Sequence, residues 1–314
     1  MKKVLLVTLD FFPSIGGVSY YWMKLAEQLS ADRLVVLAPP LPIGAPELTA
    51  PYRIIRTSFL SKWVHPSWLV LVYNLLRVLR QERPDAVIVG QILPVGTAMW
   101  LLSFFIKIPY IVSCHGMDIT QQTSSRKRWL MKRIFARARG VIANSHYTGN
   151  AIQTFGVPSE TISYVYPCPV RVPDSRLVAP KKNGHTLLTV GRIVARKGHE
   201  YVIQAMPYVR KLFPDTQYVI FGDGAYRREL ESLVKQLGLQ DHVRFLGALS
   251  DAQASEWYTK SDVFIMTPVD LAGDVEGFGI VYLEASAFGL PVVATESGGA
   301  AEAVVNGETG IVAP

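Results

Sequence analysis

Positions 276–295 read EGFGIVYLEASAFGLPVVAT, and this stretch decides the fold. Glu276 and Glu284 stand eight positions apart in it, with two glycines between them. The glycines let the backbone approach a ligand closely and expose amide N–H groups. We expect a buried helix over 280–287, and a helix N-terminus with free N–H groups binds anions, above all phosphate. The pattern predicts one carboxylate for polyol hydroxyls, a phosphate cradle and a second carboxylate for a diol, which suits a sugar joined to a nucleotide diphosphate.

Short apolar runs alternate with amphipathic segments on both sides of a proline-rich segment at 171–184. Such runs are typical of parallel strands buried on both faces, and proline ends the pattern because it removes amide donors and fixes φ. We therefore predict an α/β protein with two Rossmann-like doubly wound parallel-sheet domains, 1–170 and 185–314, facing a cleft across this linker. The predicted strands are 4–8, 33–38, 86–89, 110–113 and 140–143, then 186–190, 217–221, 243–245, 263–266 and 291–294.

Composition agrees with this organisation, because 314 residues are enough for two domains of about 150 residues each. A net charge of +7 indicates an anionic partner, for which nucleic acid, anionic lipid and a nucleotide diphosphate all qualify. Cys114 and Cys168 form no CxxC pair, which disfavours a metal site or disulfide scaffold and favours a reducing cytosol. No apolar run reaches the roughly 20 residues of a transmembrane helix, and we predict none.

The arrangement E-G-F-G-x-x-x-L-E-A, followed by Gly-Leu-Pro-Val-Val-Ala, resembles the signature of family 4 glycosyltransferases, retaining enzymes of the GT-B type. The resemblance spans nearly the whole chain. It implies that 1–170 is an acceptor domain and that 185–314 is a nucleotide-sugar donor domain. Members usually continue for several helices beyond the last strand, so we expect a C-terminally truncated fragment. The resemblance also implies that Glu276 holds a sugar hydroxyl, that Glu284 holds the ribose diol, and that the diphosphate meets the backbone of Gly277, Phe278, Gly279 and Ile280.

A basic loop, GRIVARKG at 191–198, follows the first strand of the second domain. Arg192 offers a planar bidentate fork and Lys197 a point charge, and both suit a diphosphate. The alternative interpretation is that this is simply a basic loop on a basic protein and binds no ligand. The resemblance implies that these two cations clamp the pyrophosphate and stabilise the leaving nucleotide. No Asp-x-Asp motif occurs in the sequence, so we predict a metal-independent enzyme without a cofactor.

Two features of the first domain carry a weaker resemblance to the family. Gly16 and Gly17 follow the first strand, at the sheet edge where ligands bind in doubly wound folds, and are expected to contact the donor. His115, in the pattern His-Gly-Met-Asp at 115–118, follows a later strand. The resemblance implies that this histidine touches the transferred sugar, and Asn144-Ser145 fits the same family pattern. The predicted catalytic residues are thus His115, Glu276, Arg192 and Lys197.

The segment Arg126–Arg139 holds seven basic residues and no acidic one. At about 100° per residue, its apolar residues Leu130, Met131, Ile134 and Phe135 share one arc and most of its cations share the other. A basic amphipathic helix is typical of an anionic membrane surface. A helix that packs on the core and exposes its basic face to solvent fits the same arrangement equally well.

The predicted reaction moves a hexose from a nucleotide sugar to a lipid or glycan acceptor with retention, through attack on the face that the nucleotide leaves. The stretch 274–285 is similar to bacterial enzymes that mannosylate phosphatidylinositol, which favours GDP-mannose over a UDP-sugar and a lipid acceptor. We expect a cytoplasmic enzyme, peripheral on the inner face of the membrane. The alternatives are an epimerase or hydrolase of sugar nucleotides, and a nucleic-acid-binding module. The second is disfavoured because the basic residues accompany no recognised reading motif.

Overall fold

The structure, a computed structural model, describes residues 2–14, 16–121, 124–173, 185–248 and 250–314. The chain forms two compact units, Met1–Pro167 and Cys168–Pro314. Most of the predicted linker, 174–184, lies outside the described residues. Each unit is an α/β sandwich in its own right.

A seven-stranded parallel sheet in the order β3-β2-β1-β4-β5-β6-β7 forms the first unit. Its strands are β1 (Val4–Val7), β2 (Leu34–Ala38), β3 (Arg53–Arg56), β4 (Ala86–Val89), β5 (Tyr110–Cys114), β6 (Gly140–Ala143) and β7 (Ile162–Tyr164). Its helices are α1 (Gly17–Gln28), α2 (Leu69–Glu82), α3 (Thr97–Leu102), α4 (Met117–Thr120), α5 (Ser125–Arg137) and α6 (His146–Gln153), with a π-helical turn at Ile92–Gly96 and a 3-10 turn at Ser159–Thr161.

A six-stranded parallel sheet in the order β10-β9-β8-β11-β12-β13 forms the second unit. Its strands are β8 (Thr186–Val190), β9 (Gln217–Phe221), β10 (Val243–Gly247), β11 (Val263–Ile265), β12 (Val292–Thr295) and β13 (Gly310–Ala313). Its helices are α7 (His199–Leu212), α8 (Arg227–Gln236), α9 (Asp251–Lys260) and α10 (Ile280–Ala287), with 3-10 turns at Ala195–Lys197 and Ala300–Ala303.

Both sheets are buried on both faces, as the continuous apolar runs predict. In β1, Leu5 and Val7 pack into one core cluster of the first unit. Leu6, between them, packs into a second cluster with Trp22 and Val36 on the opposite face. This alternation follows from the strand geometry, in which successive side chains point to opposite faces. The second unit likewise has two clusters. The predicted fold class of two Rossmann-like parallel-sheet domains is confirmed.

Strand order determines where each unit can bind a ligand. In each sheet the first strand of the unit is central, and the chain adds strands first on one side of it and then on the other. The direction of addition reverses between β1 and β4 in the first sheet and between β8 and β11 in the second. In open doubly wound sheets, ligands bind outside the carboxyl ends of the strands at such a reversal. Arg192 and Lys197 follow β8, and Glu276 lies between β11 and α10. Within the described part of the chain, no helix is long and apolar enough to cross a membrane.

Candidate functional site

The predicted helix over 280–287 is confirmed as α10, and glycine determines where it begins. Gly279 precedes the helix with φ +85°, and a Cβ there would lie 2.6 Å from the Tyr282 ring, so a larger residue would not fit. No side chain caps this end of the helix. The first N–H groups of a helix lack partners within the helix, and their partial positive charge favours an anion.

Phe278 and Ile280 contribute to the predicted cradle in different ways. The Phe278 side chain is buried in a core cluster with Phe264 and Tyr282. The side chain of Phe278 therefore presents almost no surface to a ligand. Ile280 and Gly277 are both half-buried. This arrangement agrees with a site that uses main-chain groups rather than side chains at these positions.

Glu276 is the centre of a buried charge cluster. Its Oε2 atom lies 2.6 Å from Lys197 Nζ and 2.7 Å from Arg196 Nη1. Arg196 also pairs with Asp274, with 3.0 Å between Nε and Oδ1. The structure thus brings together two predicted residues that stand 79 positions apart in the sequence, Lys197 and Glu276.

The electrostatics of this cluster follow from burial and from pairing. Burial alone would raise the pKa of Glu276, but Lys197 and then Arg196 outweigh it, and the pKa falls to about 2. Burial lowers the pKa of Lys197, and Glu276 offsets part of that change. Glu276 is therefore ionised near neutral pH. A carboxylate held by two cations is a weak base. It is better suited to accept hydrogen bonds from hydroxyl groups than to take up a proton.

The two predicted clamp residues lie in different environments. Lys197 is buried, and its Nζ would lie 3.8 Å from a Cβ at Gly191, at the end of β8. Arg192 is exposed, and its guanidinium forms no ion pair with any carboxylate in the described ranges. Arg192 is therefore the more accessible of the two cations for an anionic ligand.

Sequence reasoning missed Arg196. The pattern Gly-Arg-x4-Lys-Gly treats this position as arbitrary, yet Arg196 is buried and holds Glu276. The 3-10 turn at Ala195–Lys197 places the two adjacent cations beside one carboxylate. Gly198 ends that turn at φ +71°, where a Cβ would lie 1.7 Å from the Thr267 carbonyl oxygen. The glycine is needed for the turn to pack against the loop after β11.

Glu284, on α10, is almost completely buried and accepts three hydrogen bonds. Arg171 Nη1 donates to both of its carboxylate oxygens, at 3.1 and 2.8 Å. The Tyr258 hydroxyl donates to Oε2 at 2.9 Å. Neither Arg171 nor Tyr258 was singled out from the sequence. The predicted ribose-binding carboxylate is therefore held by an arginine that lies 113 positions away.

In the first unit, His115 lies directly beyond β5 and packs against α1. Its ring contacts Tyr21 and Trp22 edge-on, at centroid distances of 5.1 and 5.5 Å. Ser113 Oγ is 3.3 Å from Nε2, and the His115 amide donates to Asp118 Oδ1 at 2.9 Å. Burial lowers the pKa of His115 to about 4, so the ring is neutral near pH 7. Burial raises the pKa of Asp118 to about 6.

Gly16 and Gly17 are exposed at the start of the same helix, α1. Gly16 has extended backbone, and a Cβ there would meet no atom within 4 Å. The predicted glycine loop and His115 thus share α1 as their support, and the space beside Gly16 is open. Sequence reasoning also missed a polar network at this edge, in which the Gln91 side-chain amide donates to Thr8 Oγ1 and Asp10 Oδ2.

Asn144 and Ser145 form hydrogen bonds around the start of α6. Ser145 Oγ accepts from the Thr148 amide at 3.1 Å and so caps α6. Asn144 Oδ1 accepts from Thr148 Oγ1 at 2.8 Å, and its Nδ2 donates to the His115 carbonyl at 3.3 Å. Asn144 therefore contributes to the position of the His115 backbone.

The basic helix α5 packs into the core of the first unit. Met131, Ile134 and Phe135 are buried, and Leu130 is partly buried against the same cluster. The predicted apolar side of α5 is thus already packed against the core of the first unit. The cations on the other side are exposed, apart from Arg128, which is half-buried 4.5 Å from the centre of the Phe155 ring.

Two family models match the chain, one in each half. Residues 15–168 match the model for Glycosyltransferase Family 4. Residues 174–314 match the model for Glycosyl transferases group 1.

Curated relatives align over almost the full chain. It is 32% identical to the GDP-mannose-dependent alpha-(1-6)-phosphatidylinositol monomannoside mannosyltransferase of Mycolicibacterium smegmatis, over 98% of this chain and 84% of that protein. It is 30% identical to the GDP-mannose-dependent monoacylated alpha-(1-6)-phosphatidylinositol monomannoside mannosyltransferase of Corynebacterium glutamicum, over 99% of this chain and 84% of that protein.

Solved structures share the fold at lower identity. Anabaena HepE in complex with UDP and glucose matches with a TM-score of 0.78 and 21% identity, over 100% of this chain and 86% of that one. Sucrose-phosphate synthase from Thermosynechococcus elongatus matches with a TM-score of 0.79 and 22% identity, over the same shares. At these identities the likeness establishes the fold alone.

Proposed function

Because the chain belongs to glycosyltransferase family 4 and has the GT-B fold, we propose that it transfers a hexose from a nucleotide diphosphate sugar to a lipid acceptor. GDP-mannose is the first choice of donor and a phosphatidylinositol-based lipid the first choice of acceptor, since these belong to the names of the relatives at 30% identity or more. UDP-sugars and glycan acceptors are the alternatives within the same reaction class. The reaction is proposed to retain the anomeric configuration.

The observation that carries this proposal is the charge cluster before α10. Arg192, Arg196 and Lys197 supply three positive charges, and Glu276 and Asp274 supply two negative ones. The surplus charge belongs to Arg192, which is exposed. A diphosphate near this cation and the uncapped start of α10 would gain charge-assisted hydrogen bonds and a favourable helix dipole.

The chemistry proposed for this site is stabilisation of the leaving group. The bond from the sugar to the nucleotide breaks as the acceptor hydroxyl attacks the same face, and the departing phosphate takes the hydroxyl proton. Double displacement needs a carboxylate nucleophile on the opposite face. Glu276 is a poor candidate, because Lys197 and Arg196 already hold it. Its proposed task is to accept a hydrogen bond from a sugar hydroxyl, and positioned cations lower the barrier to departure.

His115 is proposed to meet the transferred sugar as a neutral hydrogen-bonding group. With a pKa of about 4, its ring carries no charge near pH 7. Ser113 and the packing of Tyr21 and Trp22 hold the ring in place. It would therefore orient a sugar hydroxyl rather than exchange a proton with the leaving group.

The membrane is proposed as a partner through the exposed side of α5. Arg126, Lys127, Lys132 and Arg133 are all exposed there. Aromatic side chains accompany the cations: Trp129 lies under Arg133, and the ring centre of Phe104, two residues beyond α3, lies 4.2 Å from the Arg137 guanidinium carbon. Cations with amphipathic aromatic rings suit an anionic lipid surface. Because the apolar arc of α5 is buried, the contact would be peripheral, at the inner face of the cell membrane.

A donor screen tests the proposed function directly. Thermal shifts with GDP, UDP and ADP should identify one base, since a ligand that binds only the folded state raises the melting temperature. Transfer from GDP-mannose to vesicles containing phosphatidylinositol or its monomannoside should then yield an α-linked product. Turnover of the sugar nucleotide that is independent of acceptor would instead indicate a hydrolase or epimerase. No shift with any of the three nucleotides would contradict a donor site altogether.

A further inference from the structure

Arg171 joins two carboxylates of the second unit. Its Nη1 donates to both oxygens of Glu284, and its Nε donates to Asp251 Oδ1 at 3.0 Å, a bond shared by Nη2. The Arg171 side chain is only 13% exposed. The guanidinium therefore bridges the two carboxylates, and little of it is exposed to solvent.

Glu284 has almost no capacity left for a new hydrogen-bond donor. Three hydrogen bonds reach it, two from Arg171 Nη1 and one from the Tyr258 hydroxyl. Its side chain is 2% exposed. A ribose diol brings two O–H donors, and each needs a carboxylate lone pair that points toward the ligand. With Arg171 in this position, three of the roughly four lone-pair sites of the carboxylate are taken, so Glu284 cannot accept both hydroxyls.

We propose that Arg171 competes with the ribose diol for Glu284 and thereby sets the affinity of the donor site for ribonucleotides. This inference rests on the proposed function, and within it on the role that the family resemblance implies for Glu284, which is to hold the ribose diol. Arg171 would have to leave Glu284 before the diol binds, and each ribonucleotide would bind more weakly by the free energy of that exchange.

The arrangement around Arg171 allows such an exchange. Asp251 is at the first turn of α9, and its side chain is 62% exposed. Asp251 accepts hydrogen bonds from Nε and Nη2 of Arg171, whereas Glu284 accepts only from Nη1 of Arg171. Arg171 can therefore lose its bonds to Glu284 while its charge stays paired with Asp251. Tyr258 stays with Glu284 in both arrangements, so the buried carboxylate is never without a donor.

A simple structural role for Arg171 leads to the opposite expectation. If Arg171 only oriented Glu284 for the ribose, its removal would weaken ribonucleotide binding. Competition predicts tighter binding, because the variant no longer has an ion pair to break. The sign of the change in affinity therefore separates the two roles, and a ligand without the diol shows whether the change involves Glu284.

The test compares Arg171→Met with the unmodified chain by calorimetry, using GDP and 2′,3′-dideoxy-GDP. Methionine keeps much of the apolar length of the side chain and removes the charge. We expect the GDP Kd to fall about tenfold or more, because two bonds to a charged group no longer oppose binding. The Kd for dideoxy-GDP should stay within about twofold. Without nucleotide, the variant should melt at a lower temperature, since Glu284 has lost its cation.

Two further variants keep the test decisive. Arg171→Gln covers the case in which the methionine variant does not fold, and the same tightening toward GDP alone is expected. Asp251→Asn is the matched control: it weakens the other end of the arginine bridge, leaves the Glu284 bonds in place, and should not tighten GDP binding.

Each remaining outcome overturns the inference in a recognisable way. Weaker GDP binding with unchanged dideoxy-GDP binding would make Arg171 a positioning residue for Glu284. Equal changes for both ligands would mean that Arg171 acts on the fold rather than on the diol. An Arg171→Met variant that binds GDP without preference over dideoxy-GDP would remove Glu284 from ribose binding. An unmodified chain that binds neither ligand would contradict the proposed GDP donor as well.

Discussion

Lys197 Nζ and Glu276 Oε2 lie 2.6 Å apart, so the cation predicted to hold a diphosphate and the carboxylate predicted to hold a sugar hydroxyl form one ion pair. Arg196 binds the same oxygen atom at 2.7 Å. A change at any of the three residues therefore alters the electrostatic environment of the other two. Mutational effects within this cluster are expected to be non-additive.

Arg192→Ala and Lys197→Ala are expected to weaken nucleotide diphosphate binding by different routes. Each removes a charge-assisted bond worth about 1.5–3 kcal/mol, or roughly ten- to hundredfold in affinity and turnover. Arg192 is exposed, so its variant should keep the melting temperature of the unmodified chain. Lys197→Ala leaves Glu276 with Arg196 alone and should also lower that temperature. Calorimetry with GDP and thermal melts measure both effects, and near-normal binding in both variants would exclude the clamp.

Because of Glu276, the free energy of unfolding should depend on pH between about pH 5 and pH 2. Its pKa is about 2 in the folded protein, against 4.5 as the ordinary value. A carboxyl group whose pKa is depressed by folding stabilises the protein above the unfolded value, and this contribution is lost as pH falls through the folded one. The free energy of unfolding should therefore decrease from about pH 5 to pH 2 more steeply in the unmodified chain than in Glu276→Gln. Denaturant unfolding across this range measures the difference, and parallel curves would contradict the ion pairs of Glu276.

Glu276 and Glu284 are expected to affect free nucleotide differently. Glu276→Gln should spare GDP affinity and reduce sugar transfer, because its proposed partner is the sugar. Glu284→Ala should weaken GDP binding, with little effect on 2′,3′-dideoxy-GDP, because its proposed partner is the ribose diol. Calorimetry with both nucleotides gives the comparison. Equal losses of GDP affinity in the two variants would reverse or remove this division of roles.

Much of the fold could be predicted because central strands are buried on both faces. The predicted bounds 86–89, 140–143, 186–190 and 217–221 are confirmed as β4, β6, β8 and β9. In the first sheet, β3 and β7 were not predicted, and they are its two edges. An edge strand is covered less completely and needs no continuous apolar run, and β3 reads Arg-Ile-Ile-Arg. The hydrophobic pattern therefore carries little information about such strands.

The site was predictable where a short motif contains its partners and not where they are distant. Gly279 and Glu284 belong to one turn and helix, so spacing alone placed them on α10. Arg171 reaches Glu284 across 113 positions, and nothing local in the sequence indicates that contact. Arg196 is adjacent to Lys197, but only the fold shows that both side chains reach Glu276. Side-chain pairing across a sheet depends on tertiary packing, which a pattern of residue types does not encode.

Transfer is expected to be independent of divalent metal. The proposed leaving-group stabilisation relies on Arg192, Lys197 and the start of α10, which can neutralise a diphosphate without an ion. Initial rates with excess EDTA should equal those without it, once the assay contains a saturating donor concentration. Loss of activity that magnesium or manganese restores would contradict this proposal and would require a metal bound with the donor.

Membrane binding is expected to depend on the exposed cations of α5 and on anionic lipid. Arg126, Lys127 and Lys132 are exposed, and changing all three to glutamate leaves the buried arc untouched. Arg128 is unsuitable for this test, because it packs on Phe155. Each cation near an anionic surface adds about 1 kcal/mol, so the triple variant should lose at least a hundredfold in vesicle binding. Co-sedimentation with phosphatidylserine vesicles should also decrease as salt is raised, since ions screen the attraction within about 10 Å at 0.1 M.

A matched control and an aromatic variant decide what that loss means. Changing Lys211, Arg228 and Lys235 to glutamate makes the same change in net charge at exposed positions of the second unit. If α5 carries the contact, the control should bind vesicles much better than the α5 variant, and both should melt near the temperature of the unmodified chain. Phe105 is 86% exposed just beyond α3, and Phe105→Ser should reduce binding at high salt, where the charge contribution is screened. Equal losses in the two charge variants would indicate only a general effect of net charge, and an α5 variant that binds normally would make α5 a core-packed helix with a solvated basic face.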